Sequence, residues 1–151
     1  MNKLNFSIVI NAPKEEVWDS MLGEETYRIW TEPFAKGSHF VGEWSEGSKM
    51  YFLGPDPEGN MSGMLSRIKE IREYEYVSIE HIGFVNNGIE DTSSDAVKDW
   101  AGAMENYSFK ENDGYTEVVV ELIGNIPDEY SEMFKDMWPK ALNKLKEIAE
   151  N

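Results

Sequence analysis

Residues 127–150 read PDEYSEMFKDMWPKALNKLKEIAE, and the fold turns on what this stretch needs. Its apolar residues fall at helical spacing: Phe134, Met137, Trp138, Ala141, Leu145 and Ile148 form a stripe, with Met133 and Leu142 at its flanks. Pro127, Asp128 and Glu129 suit a first turn, and Lys140, Lys144 and Lys146 lie towards the end that favours positive charge. Pro139 cannot donate to the carbonyl of Lys135, which predicts a kink or break near 135–139. A single long amphipathic helix must bury its stripe against something, and the preceding chain supplies strands.

Working back, residues 103–111 and 115–123 alternate in character on either side of Asn112-Asp113-Gly114, a hairpin signal. Residues 61–72 and 75–84 read as a longer antiparallel pair, preceded by the turn-forming run 54–60. Before it, Phe40, Gly42 and Trp44 alternate with Val41 and Glu43, Glu46-Gly47-Ser48 reads as a turn, and Lys49 to Leu53 as a strand. Residues 4–10 form an opening strand with Leu4, Phe6, Ile8 and Ile10 on one face. A helix follows from Pro13 to about Leu22, and a second runs from about Glu24 to Ile29. Residues 86–99 are polar and contain Asn87-Gly88; they read as a surface loop with one helical turn capped by Ser94. That loop ends at Trp100 and could serve as a lid. The expectation is a single α+β domain over residues 1–151. A curved antiparallel sheet of about six to seven strands wraps a long C-terminal helix, with two short helices after strand 1. The space between sheet and helix is where a ligand would sit.

Composition narrows the chemistry. The 151 residues include no Cys, which removes thiol catalysis, Cys-ligated zinc, iron–sulfur clusters and disulfides. Lys and Arg number 14 against 29 Asp and Glu, so the net charge is −15, which repels nucleic acid and anionic membrane surfaces. It is compatible with a protein partner that has a basic surface. With no signal-like or membrane-length apolar run, a cytoplasmic protein is expected.

No motif for metal, phosphate or cofactor is evident. Asp56, Glu58, Asn60 and Ser62 faintly resemble a calcium loop, but Met61 and Arg67 stand where Gly and Glu are required. Of the two histidines, His39 precedes a strand, whereas His81 shares strand parity with Val77 and Ile79 and so points inward. There it could hydrogen-bond a ligand or act as a base. Glu43, Glu80, Glu117 and Glu121 oppose apolar neighbours and are read as a solvated outer face.

The informative feature is bulk: 5 Trp, 7 Tyr, 7 Phe and 8 Met in one small chain. Candidates to line the space beneath the helix are Trp30, Phe34, Phe40 and Trp44 from the N-terminal half. The central strands add Met50, Phe52, Met64 and Ile79, and the later elements Trp100, Met104, Met133 and Met137. His81 and Tyr107 are candidates to orient a ligand. Methionine suits a pocket that adapts to varied apolar shapes.

Residues Ile8, Ala12, Pro13, Val17 and Trp18 resemble the opening signature of the START-like (SRPBCC) superfamily of helix-grip folds. Gly42-Glu43-Trp44 with Glu46-Gly47, Phe52-Leu53-Gly54, and Gly63 to Ile71 extend the likeness. So do Glu105 to Phe109 and Trp138 to Leu145. Together they are similar to the C-terminal domain of activators of the heat-shock protein 90 ATPase (AHSA-like). The resemblance implies the helix-grip fold across nearly the whole chain, and three functional readings. The first is a non-catalytic module binding a small apolar or amphipathic molecule, with no cofactor. The second is a co-chaperone-like module acting on a heat-shock protein 90 type ATPase. The third is an enzyme of the polyketide cyclase or hydratase type.

Overall fold

The antiparallel run upstream of the long helix closes into one open, curved sheet. The computed structural model describes residues 2–151. In chain order the elements begin with β1 (Asn2–Ile10), α1 (Lys14–Leu22), α2 (Glu24–Trp30), β2 (His39–Val41), β3 (Lys49–Pro55) and β4 (Met61–Arg72). They continue with β5 (Tyr76–Asn86), β6 (Ile89–Asp91), α3 (Asp95–Trp100), β7 (Met104–Asn112), β8 (Tyr115–Gly124) and α4 (Asp128–Glu150). The strand order is β1-β8-β7-β5-β4-β3-β2, with β6 paired to β5. No helix among the described residues is long and apolar enough to cross a membrane.

Register explains the core. Leu4, Phe6 and Ile8 of β1 stand opposite Leu122, Val120 and Val118 of β8. Tyr107 of β7 stands between Val120 and Val77, and Glu105 between Leu122 and Ile79. Partners in an antiparallel pair share a face, so these residues form the inner face that meets α4. Two irregularities in the β4–β5 ladder, at Leu65/Ser66 and Ile68/Glu70, are bulges of the kind that bend a sheet.

Helical backbone continues across Pro139, so the break expected there does not occur. The neighbouring Trp138 is buried and anchors the helix. Its ring lies 5.0 Å from that of Phe34, 5.9 Å from Trp30, 6.1 Å from Tyr107 and 6.2 Å from Phe6. The last turn of α4 is latched to the chain's beginning: the Asn11 amide donates to Glu150 Oε2 at 2.8 Å, and Lys146 Nζ donates to the Val9 carbonyl at 3.4 Å.

Two local differences from the expectation have glycine as their cause. The strand expected through Trp44 stops at Val41, because Gly42 adopts φ 129° and a side chain there would meet the Lys49 carbonyl at 2.7 Å. Within the loop expected at 86–99, Asn87 (φ 50°) and Gly88 (φ 79°) turn the chain back, so that β6 pairs with β5. That turn is the Asn-Gly hairpin that such a dipeptide favours.

Gly63 shows how tightly the sheet is built. A Cβ at this position would overlap the Phe52 carbonyl on the neighbouring strand. Gly63→Ala is therefore expected to push β3 off β4 and cost about 1–3 kcal/mol. Urea unfolding measures this, and an unchanged midpoint would refute it.

Candidate functional site

A groove opens between α1, the end of β4 and the segment that carries Trp44. Pro13 starts α1, and helical spacing then puts Val17, Trp18, Met21 and Leu22 on its buried side. Trp18 makes T-shaped contacts with Phe109 at 5.1 Å and Tyr74 at 6.0 Å. Leu22, Ile71 and Trp44 complete the apolar walls, and Gly23, Asp19 and Glu73 complete the lining. The groove is open to solvent and offers about 600 Å³, room for a small organic molecule. Trp44 forms a wall because the Gly42 turn releases it from the sheet. Behind it stand Phe40 at 5.3 Å and Phe52 at 6.0 Å, and Tyr27 packs on both.

The region between sheet and α4, expected to hold a ligand, is filled by core side chains around Trp138 and the groove lies elsewhere, so the fourteen residues singled out in the sequence separate. Trp44 lines the groove, backed by Phe40 and Phe52. Trp30, Phe34 and Tyr107 pack around Trp138. Met50 and Ile79 are fully buried, and Met64 is half-buried against the same core. Met133 and Met137 lie half-buried on α4. Met104 stands opposite Glu80 and Ile123, on the face away from Glu105, and so is not brought to the inner face. Sequence reading missed Trp18, Asp19, Leu22, Ile71 and Glu73 as groove residues, since no local pattern says that α1 and the end of β4 come together.

His81 and Trp100 meet elsewhere, in a buried polar chain. Ser66 Oγ lies 2.7 Å from His81 Nδ1, and His81 Nε2 lies 3.3 Å from Glu105 Oε1. The Tyr107 hydroxyl donates to Glu105 Oε2. A carboxylate only accepts, so His81 presents an N–H to Glu105 from Nε2, while Nδ1 is paired with the Ser66 hydroxyl. Trp100, at the end of α3, lies flat against the imidazole at 5.3 Å and 18°. The side chains of His81 and Glu105 are only 4% and 15% exposed. None of the four lines the groove. Both ring nitrogens of His81 and the Tyr107 hydroxyl are thus engaged within the protein. Glu105 was findable: it shares strand parity with Tyr107 and Phe109.

Glu105 also acts on two phenols. Burial first, then the Glu105 charge, push Tyr27 and Tyr107 well above the ordinary tyrosine pKa. A pKa raised by folding adds stability that is complete below the unfolded value, about 10, and is lost as pH rises towards the folded value. Above pH 10, stability should therefore fall by about 1.4 kcal/mol per pH unit for each tyrosine. Alkaline unfolding of wild type and Tyr107→Phe, followed by circular dichroism, tests this. An equal slope in both would refute the role of Tyr107.

The calcium-like stretch closes on itself. Asp56 Oδ1 accepts from the amides of Glu58 and Asn60, each at 2.9 Å, and Oδ2 accepts from Ser62 Oγ at 3.3 Å. Among the described residues no His, Asp and Glu side chains gather as a metal site.

A family model described as "Activator of Hsp90 ATPase homolog 1-like protein" matches residues 11–150. No curated protein matches the chain. Among solved structures, a protein from Cytophaga hutchinsonii superposes with a TM-score of 0.72 at 19% identity, covering 100% of this chain and 95% of that one. The Aha1 dimer from Colwellia psychrerythraea gives 0.71 at 16%, covering 99% and 97%. DynU16, a protein of the dynemicin biosynthetic locus, gives 0.70 at 12%, covering 100% of this chain and 48% of that one. At these identities the likeness establishes the helix-grip fold.

Proposed function

Because the chain belongs to the activator of Hsp90 ATPase homolog 1-like family, on a fold that hosts many activities, we propose that it binds a small apolar or amphipathic molecule in the groove between α1 and β4. One observation carries this reading: a space of about 600 Å³ walled by two indoles, Trp18 and Trp44, with Leu22 and Ile71. Apolar walls with a few polar groups at the edge are the usual make-up of a small-molecule site. Phe40 and Phe52 hold Trp44 in place from behind, so the wall is preorganised.

A thermal-shift panel of lipids, flavonoids and polyketides tests it. At a concentration about 100 times its Kd, a ligand adds about 2.7 kcal/mol of stability. For a chain of this size that is a rise in Tm of roughly 5–10 °C. Trp44→Ala, at a half-buried position outside the regular elements, should remove most of the rise. No rise with any compound, or an equal rise in Trp44→Ala, would overturn the reading.

A second reading is favoured by the family's own description: action on a heat-shock protein 90 type ATPase, with the charge of −15 meeting a basic surface. The expected result is acceleration of that ATPase that weakens as salt is raised. An unchanged rate would remove it.

A further inference from the structure

The groove's two indole walls stand beside uncompensated negative charge. Asp19 and Glu73 are part of its lining, and among the described residues neither is in an ion pair. Arg72, adjacent to Glu73 in the chain, is turned away: its Nε lies 3.2 Å from Glu70, and its guanidinium sits 5.0 Å over the Tyr76 ring. Tyr74, which packs on Trp18, registers the local field: Glu73 first, then desolvation, then Asp19 and Glu15 hold its phenol above the ordinary pKa.

The geometry points to an amphipathic amine, a protonated nitrogen on an aromatic or alicyclic body, as the ligand class of this groove. The inference rests on the ligand reading above. Three contributions converge on it. Trp18 and Trp44 both line the groove, and an indole ring attracts a cation through its quadrupole. Asp19 and Glu73 supply Coulomb attraction that an alcohol does not feel and a carboxylate feels as repulsion. Leu22 and Ile71 take up the apolar body. The overall charge of −15 further concentrates organic cations near the mouth.

Three probes of one shape separate the claims: tryptamine (cationic), tryptophol (neutral) and indole-3-acetate (anionic), titrated by calorimetry. Tryptamine should bind about tenfold more tightly than tryptophol, and indole-3-acetate most weakly. Raising the ionic strength should weaken tryptamine alone. The double variant Asp19→Asn/Glu73→Gln changes exposed side chains and keeps their shape. In it, tryptamine should fall to within a factor of about two of tryptophol. Equal affinities of all three in wild type would overturn the amine inference and leave the ligand reading standing. The same holds if tryptamine's advantage survives the double variant. Binding by none of the three overturns the amine inference; the wider compound panel then decides the ligand reading separately.

Discussion

Trp138→Ala should destabilise the protein by about 3–5 kcal/mol, the range for truncating a buried tryptophan. Trp138 is only 4% exposed, and four aromatic rings, Phe6, Trp30, Phe34 and Tyr107, lie around it. They come from β1, α2, the segment after it, and β7, so no single element can relax into the vacated space. Domains of this kind have total stabilities of about 5–15 kcal/mol. The variant therefore sits near the edge of folding, with a much lower urea midpoint and a nearly unchanged m-value. Trp138→Phe keeps part of the volume and should lose clearly less. A loss below about 1 kcal/mol for Trp138→Ala, the level of an ordinary surface change, would show that the aromatic cluster is not the keystone described here.

His81→Ala is expected to be the second most damaging single change. It leaves both Ser66 Oγ and Glu105 Oε1 without the imidazole partner they have in the folded protein. Each buried polar group left unpaired costs about 1–3 kcal/mol. Ser66→Ala should cost less, because Nδ1 of the histidine is then the only orphan. The two changes share one hydrogen bond, so their effects should not add. The double variant should be less destabilised than the sum by clearly more than the roughly 0.3–0.5 kcal/mol scatter seen for independent sites. Strict additivity would mean that the Ser66–His81 bond contributes nothing.

The parts of the fold that depend on local chemistry were readable in advance. Strand 61–72 has the bounds of β4, and its start is set by the turn formers of 54–60. Ser94 caps α3 through its side chain, accepting from the Val97 amide, and Pro127 precedes α4. What could not be read depends on partners distant in sequence. Ser66 and His81 are 15 residues apart and face each other across a ladder irregularity, which shifts the register that alternation alone predicts. His81 was expected to point inward and does so, but its two partners belong to other strands. The groove was illegible for the same reason: Trp18 and Ile71 become neighbours only once α1 lies over the sheet. Trp44 was recognised for its bulk, yet its position follows from the backbone of Gly42, which alternation treated as ordinary strand.

The closing hydrogen bond between Asn11 and Glu150, 139 positions apart, has a bearing on biosynthesis. The first strand finds its neighbour only in residues Tyr115–Gly124, and its covering helix only in Asp128–Glu150. While the ribosome is still delivering the middle of the polypeptide, Phe6, Ile8 and Ile10 have nothing to shelter them. Cooperative assembly must wait for those later segments to leave the exit tunnel, and pairings this remote are slow to form. During that interval the apolar face of β1 stays open to solvent.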